Sequence, residues 1–153
     1  MLAFDGNYRF SAPRQQVWAA LNDPEVLQGT IPGCQALTKT GEETFAADLQ
    51  LKFGPLRFTT QGSLRVVVEE AARAYRLEGA SAKTLLGSGQ GKAWVRLCDV
   101  PGGGTDLHYR VEAQMTGRLA KLGASLVAGQ LQALGTGFFG RFEKVMQEKS
   151  HAV

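Results

Sequence analysis

The chain has 153 residues, a net charge of +3, 44% hydrophobic residues and 20% charged residues. These values are typical of a soluble globular protein, and we predict a single domain at residues 1–150. No stretch approaches the roughly 18 apolar residues of a membrane span, and the amino terminus lacks the basic and apolar regions of a signal peptide, so we expect a cytoplasmic protein. Lysine and arginine are scattered singly, which argues against a nucleic-acid partner.

The first third of the sequence predicts one strand and two short helices. Residues 4–10 alternate between apolar and polar side chains, which is the period of a half-buried strand. Ser11–Pro13 is typical of a helix start, because proline tolerates the first helical turn. Asp23–Glu25 predicts a second helix capped by the aspartate, and Ile31–Gly33 ends it.

The middle of the sequence, residues 35–115, predicts a run of antiparallel strands. Apolar and polar side chains alternate over residues 45–53, 56–68, 75–79 and 105–115, and a further strand is expected around residues 85–98. Gly54-Pro55 and residues 101–104 are typical of turns.

The last third predicts one long helix from about Gly117 to Glu148, roughly 48 Å in length. A curved antiparallel sheet must bury one face, and only this helix is large enough to cover it. We therefore predict an α+β protein with the helix-grip (START-like) arrangement: a curved antiparallel sheet of six or seven strands around a long carboxy-terminal helix, with two short helices after the first strand.

The predicted interior offers no group for acid–base or nucleophilic chemistry. Strand alternation places almost every titratable residue on the outer face, and His108 is expected to face water among charged neighbours. Cys34 and Cys98 have no predicted histidine partner and are too few for a disulfide or metal framework. We therefore expect an interior without cysteine, no catalytic residue, no metal and no cofactor.

Small residues on one predicted strand indicate space beneath the helix. Gly87, Gly89, Gly91 and Ala93 share one face. They either leave room for a ligand or mark bulges that let the sheet curl, and both can hold at once. A phosphate-binding loop at residues 87–92 is disfavoured, because Walker spacing and a following helix are both missing.

The long helix carries glycines at a spacing of seven. Gly123, Gln130 and Gly137 lie near one line along it. We interpret the two glycines as points where a ligand or the sheet approaches the backbone, and Gln130 as a polar anchor. The alternative is close helix–sheet packing with Gln130 at the solvent edge.

Two aromatic features bear on surface contacts. Phe138, Phe139 and Phe142 predict a core cluster, but adjacent phenylalanines cannot share one helix face, so one is expected to be partly exposed towards a membrane or partner. Trp94 falls on the polar side of its strand beside two basic residues, as tryptophans at lipid interfaces do. The alternative is that it packs under a neighbouring side chain.

Five segments together resemble a known family in their order and spacing: Trp18–Pro24, Ile31–Cys34, Gly54-Pro55, Gly91–Ala93 and Tyr109–Leu126. They resemble the carbon monoxide dehydrogenase CoxG family of the START-like (SRPBCC, polyketide cyclase-like) superfamily. The resemblance implies a deep apolar cavity that binds a quinone or another lipid-like molecule. It also implies a molybdenum hydroxylase such as carbon monoxide dehydrogenase as partner, in maturation or membrane recruitment, with peripheral contact at the inner membrane face. It supplies no catalytic residue.

We therefore predict a carrier that holds an apolar small molecule between sheet and helix. The expected wall consists of Tyr8, Phe45, Leu49, Phe58, Tyr75, Tyr109, Gly123, Leu126, Gln130 and Phe138, with the tyrosines and Gln130 as orienting polar groups. Two alternatives remain open: a polyketide cyclase or aromatase-type enzyme of the same fold, and a docking subunit without a ligand.

Overall fold

The computed structural model describes residues 2–53, 56–82 and 87–151, so the predicted Gly54-Pro55 turn and the predicted start of a strand at residue 85 lie outside the described residues. Within these ranges the strands are β1 (Leu2–Phe10), β2 (Cys34–Lys39), β3 (Thr44–Phe53), β4 (Leu56–Glu70), β5 (Ala74–Ser81), β6 (Gly89–Asp99) and β7 (Thr105–Met115). The helices are α1 (Arg14–Leu21), α2 (Pro24–Thr30), a 3-10 helix η1 (Gly117–Leu122) and α3 (Ala124–His151).

The seven strands form one antiparallel sheet in the order β1-β7-β6-β5-β4-β3-β2. β1 and β2 are therefore its two edges. α3 crosses one face of this curved sheet and packs mainly on α2, β1, β3 and η1. This is the predicted helix-grip arrangement, and the side of the sheet that faces α3 is called the concave face below.

Strand alternation predicted most strand bounds. β7 spans the expected residues 105–115, and β1 alternates between half-buried and exposed side chains until Phe10. The prediction for Gly87 is wrong, because β6 begins at Gly89. Gly87 precedes the strand with a φ of +115°, and a Cβ there would stand against the carbonyl oxygen of Thr116. Close backbone approach therefore explains this glycine.

The second short helix starts where the sequence indicated. The side chain of Asp23 accepts a hydrogen bond of 3.0 Å from the backbone N–H of Glu25, which satisfies one of the free donors of the first turn. Pro24 stands in that first turn. The chain leaves α2 at Ile31 in an extended conformation.

The prediction of one continuous helix from Gly117 is wrong at its start. Gly123 interrupts the helix with φ +94° and ψ 145°, a conformation that is almost restricted to glycine. The chain therefore forms η1 first, and α3 begins only at Ala124. Apolar residues continue at helical spacing through the break, so periodicity alone did not reveal it.

Two helix-region glycines allow a matched test of this break. Gly123→Ala is expected to lower the free energy of unfolding by about 1–3 kcal/mol, because alanine rarely adopts that backbone conformation. Gly129→Ala is expected to raise it by about 0.5–1 kcal/mol, because Gly129 lies inside α3. A Cβ would meet no atom within 4 Å at either position. Urea unfolding followed by circular dichroism checks both, and equal effects would contradict the proposed strain at Gly123.

Two groups of buried side chains form the core. The larger one, called the aromatic core, joins the carboxy-terminal part of α3 to α1 and to the ends of β1, β5, β6 and β7. Its buried members are Phe10, Val17, Ala20, Leu21, Val26, Tyr75, Val95, Leu97, Leu107, Phe142 and Met146. The smaller one, called the α2 core, consists of Leu27, Leu37 and Phe45.

The expected partial exposure is found for both Phe138 and Phe139, and contact with a membrane or partner stays a prediction. Both are half-buried. Phe139 stacks on Tyr8 with ring centroids 5.0 Å apart, and Phe138 packs against both cores. The curved sheet surrounds a wide arc of α3, so adjacent positions on the helix both find partners.

Candidate functional site

The concave face carries a band of small residues at the end of the sheet nearest η1. Gly79 on β5 lies opposite Gly91 on β6, which lies opposite Ala113 on β7. In the next row Gly62 lies opposite Ser81, which is hydrogen-bonded to Gly89. With Ala93, these residues make up the small-residue floor: Gly62, Gly79, Ser81, Gly89, Gly91, Ala93 and Ala113. It crosses β4 to β7, a distance of about 14 Å at the usual strand spacing.

The half of α3 nearest η1 is less buried than its other half. Of the side chains described in this half, at residues 125, 126 and 128–137, none is buried, whereas Phe142 and Met146 in the other half are buried. Leu131 and Leu134 remain half-buried, and a Cβ at Gly135 would meet no atom within 4 Å. Protein interiors are normally close-packed. A glycine- and alanine-rich floor beneath a half-helix with little buried surface therefore predicts a cavity between them.

The chemistry of this cavity is apolar with a few hydroxyl groups. The small-residue floor carries no charge, and neither do the flanking concave-face residues Ala47, Leu49, Leu64, Val66, Leu77, Val111 and Met115. The hydroxyl of Ser81 is occupied, since it accepts from the backbone N–H of Gly89 at 2.8 Å. Tyr8 and Tyr109 are half-buried residues, and their hydroxyls form no hydrogen bond with a described residue. Such a cavity suits an apolar molecule with one hydrogen-bonding group.

A family model described as the CoxG subunit of carbon monoxide dehydrogenase matches residues 6–146. The chain belongs to the CoxG family. A search of the curated proteins gives no match.

Solved structures resemble this CoxG-family chain over nearly its whole length. A conserved protein from Geobacillus kaustophilus is 24% identical with a TM-score of 0.91, covering 96% of each chain. The ZhuI aromatase/cyclase from Streptomyces sp. R1128 is 10% identical with a TM-score of 0.72, covering 99% of this chain and 96% of its own. Ara h 8.0201 is 14% identical with a TM-score of 0.71, covering 96% of this chain and 98% of its own. At these identities the likeness shows a shared START-like fold.

The ten residues predicted for the cavity wall fall into different environments. Tyr8, Leu49, Tyr109, Gln130 and Phe138 are half-buried. Phe45 and Tyr75 are only 8% and 6% exposed and belong to the two cores. Gly123 and Leu126 are exposed at the junction of η1 and α3. The side chain of Phe58 lies outside the described residues. Ligand contact by any of them stays a prediction.

The tyrosines differ in how accessible their hydroxyls are to a ligand. Trp18 packs edge-on against Tyr75 with ring centroids 5.4 Å apart. Burial raises the pKa of Tyr75 above its usual range, so this phenol stays protonated at neutral pH. Tyr109 leans across β1, where its hydroxyl oxygen would be 2.5 Å from a Cβ at Gly6. Gly6 therefore leaves the room that the Tyr109 ring and hydroxyl occupy.

Gly137 supports the packing alternative and not a ligand contact. A Cβ at this position would stand 3.2 Å from Cγ of Pro32, directly after α2. The glycine therefore lets α3 approach the end of α2. Sequence reasoning missed Gly62 and Gly79, although both stand at inward positions of alternating strands and could have been found from that pattern.

Cys34 corrects the expectation of an interior without cysteine. It lies opposite Leu49 and packs, half-buried, against the α2 core. Burial raises the pKa of its thiol, which lowers the thiolate fraction and its nucleophilicity.

Trp94 lies on the outer face of the sheet as predicted. It faces Arg76 on β5 and Arg110 on β7, beside a surface depression of about 370 Å³. Both arginines are engaged with carboxylates, Arg76 with Glu69 and Glu78, and Arg110 with Asp5 and Glu112. The tryptophan is half-buried, and both its lipid-interface interpretation and its packing interpretation stay predictions.

Across the described helices, α3 included, no segment combines the length and the apolar character needed to cross a bilayer.

Proposed function

We propose that this protein is a binding or carrier protein that holds a quinone- or lipid-like molecule between the sheet and α3. The observation that carries the proposal is the uncharged small-residue floor beneath a half of α3 whose described side chains are not buried. Burying apolar surface of a ligand there contributes about 25 cal/mol per Å². Membership in the CoxG family supports the same role.

We further propose that this carrier is an accessory to a molybdenum hydroxylase such as carbon monoxide dehydrogenase, in maturation or membrane recruitment at the inner face of the cytoplasmic membrane. The family description, which names that enzyme, supports this partner. The fold supports the ligand-binding part alone, because START-like folds host several functions.

The rival function is an enzyme of the aromatase/cyclase type. It is considered because the aromatase/cyclase from Streptomyces has a similar fold. Such an enzyme needs a group that moves a proton at the reacting atoms. The small-residue floor offers none, because its one hydroxyl, on Ser81, is already hydrogen-bonded to Gly89. The cavity chemistry therefore favours a carrier.

Native mass spectrometry of the purified chain, followed by organic extraction, tests the proposal. We expect one quinone or lipid per chain, or uptake of decylubiquinone and a fluorescent fatty acid by the stripped protein. A ligand-free mass together with no uptake of either probe would exclude the carrier function. A stable complex of that ligand-free protein with the dehydrogenase would then establish a docking subunit.

A further inference from the structure

The two edge strands of the sheet differ in how their free sides are covered. The edge strand β2 is six residues long, and its register on β3 shifts between Cys34 and Ala36, an irregularity of the kind that blunts an edge. The side chain of Gln28 on α2 accepts from the backbone N–H of Leu37 at 3.3 Å and donates to the backbone oxygen of Gln35 at 3.4 Å. Groups of the same chain therefore cover this edge.

The edge strand β1 has none of these features. Its nine residues pair with β7 from Leu2 to Phe10 without a register shift, and they include neither lysine nor proline. In an antiparallel pair every second residue directs its N–H and C=O away from the partner strand. Within the described ranges, no strand and no side chain hydrogen-bonds to the free side of β1. A regular, uncovered edge of this length is a template for another strand.

The charges on β1 have capacity for a second partner. On its outer face Asp5 lies 3.4 Å from Arg110, and Arg9 lies 2.7 Å from Asp106, both partners being on β7. The side chains of Asp5 and Arg9 nevertheless remain 69% and 70% exposed. Each can therefore form a further ion pair with a strand added on the free side.

We propose that two copies of this chain associate through antiparallel pairing of their β1 strands, with Asn7 on the two-fold axis. Such an axis is the commonest symmetry of homodimers. It places Asp5 of each copy opposite Arg9 of the other. Because Asp5 is also paired with Arg110 and Arg9 with Asp106, positive and negative charges then alternate across four strands. The seven-stranded sheet of each copy continues into that of the other, with both α3 helices on the same side.

Other registers of the β1 pair lack this match of charges. Centring the pair on Phe4, Gly6 or Tyr8 leaves Asp5 opposite an uncharged residue. Centring it on Asp5 sets two carboxylates face to face, which is destabilising. A shift by a single residue sets inward side chains against outward ones. Charge complementarity therefore selects the register centred on Asn7.

Sedimentation velocity of the full chain over a range of concentrations tests the proposal. We expect the wild type to approach the mass of two chains as its concentration rises. Asn7→Asp and Asn7→Lys should each weaken the association by roughly tenfold or more, because a residue on the axis faces its own copy at about 5 Å and like charges repel. An equimolar mixture of the two variants should associate again, since the introduced carboxylate then faces the introduced ammonium group.

Thr59→Asp and Thr59→Lys are the matched controls, because Thr59 is exposed on β4, inside the sheet, and the changes in net charge are the same. Both should associate within about twofold of the wild type. Circular dichroism verifies that every variant folds, as expected for substitutions at exposed positions. A wild type that stays a single chain at every concentration would overturn the proposal. So would association that persists in both Asn7 variants, or that fails to return in their mixture.

Discussion

Phe142→Ala is expected to lower the free energy of unfolding by about 3–5 kcal/mol, the usual range for a fully buried phenylalanine. Phe142 is 0% exposed. Its ring lies edge-on to Phe10 at 5.3 Å and stacks on Phe138 at 5.6 Å between centroids. Losing it leaves a void where α3, α1 and β1 meet. A fall in the melting temperature of roughly 10 °C is expected for a chain of this size.

The matched control for Phe142 is Phe4→Ala on edge strand β1. Phe4 is half-buried and contacts Tyr109 at a centroid distance of 6.5 Å. The same chemical change should therefore cost less than half as much. Denaturant unfolding of both variants gives the comparison. Equal losses of unfolding free energy in the two variants would contradict a dominant contribution of the aromatic core to stability.

The sequence predicted the fold well because both strand and helix patterns are strong. Alternation over residues 105–115 assigned β7 and placed His108 outward, where it is exposed. The Asp23 cap was predictable because its chemistry is local. The need for glycine at two positions was not predictable, because it comes from residues distant in sequence. A Cβ at Gly87 would stand against the backbone oxygen of Thr116, and a Cβ at Gly137 would stand against Pro32.

The candidate site was harder to predict than the fold. Alternation tells which face a side chain points to, but not whether another side chain fills the space in front of it. Phe45 and Tyr75 point inward like Leu49 and Tyr109, yet they are buried by α2 and α1. Whether space remains above the small-residue floor depends on how far α3 stands from the sheet, and alternation carries no information on that distance.

Filling the small-residue floor should abolish ligand binding while the fold persists. In Gly79→Leu the new Cβ stands 3.7 Å from the backbone oxygen of Ser63 and 3.9 Å from Cδ1 of Leu64, which are ordinary contacts. The leucine is therefore tolerated at its base and projects into the cavity. We expect at least a tenfold loss of affinity for decylubiquinone or a fluorescent fatty acid, about 1.4 kcal/mol or more.

Ala80→Leu is the matched control, because the next residue of β5 is exposed on the outer face. It adds a similar volume to the same strand without entering the cavity, so its affinity should equal that of the wild type. Fluorescence titration measures both variants, and circular dichroism verifies that both fold. Unchanged affinity in a folded Gly79→Leu variant would place the ligand elsewhere. Loss of affinity in Gly79→Leu alone would locate the ligand above the small-residue floor. There an apolar molecule would fill the space that large side chains at the facing positions Gly79, Gly91 and Ala113 would otherwise occupy.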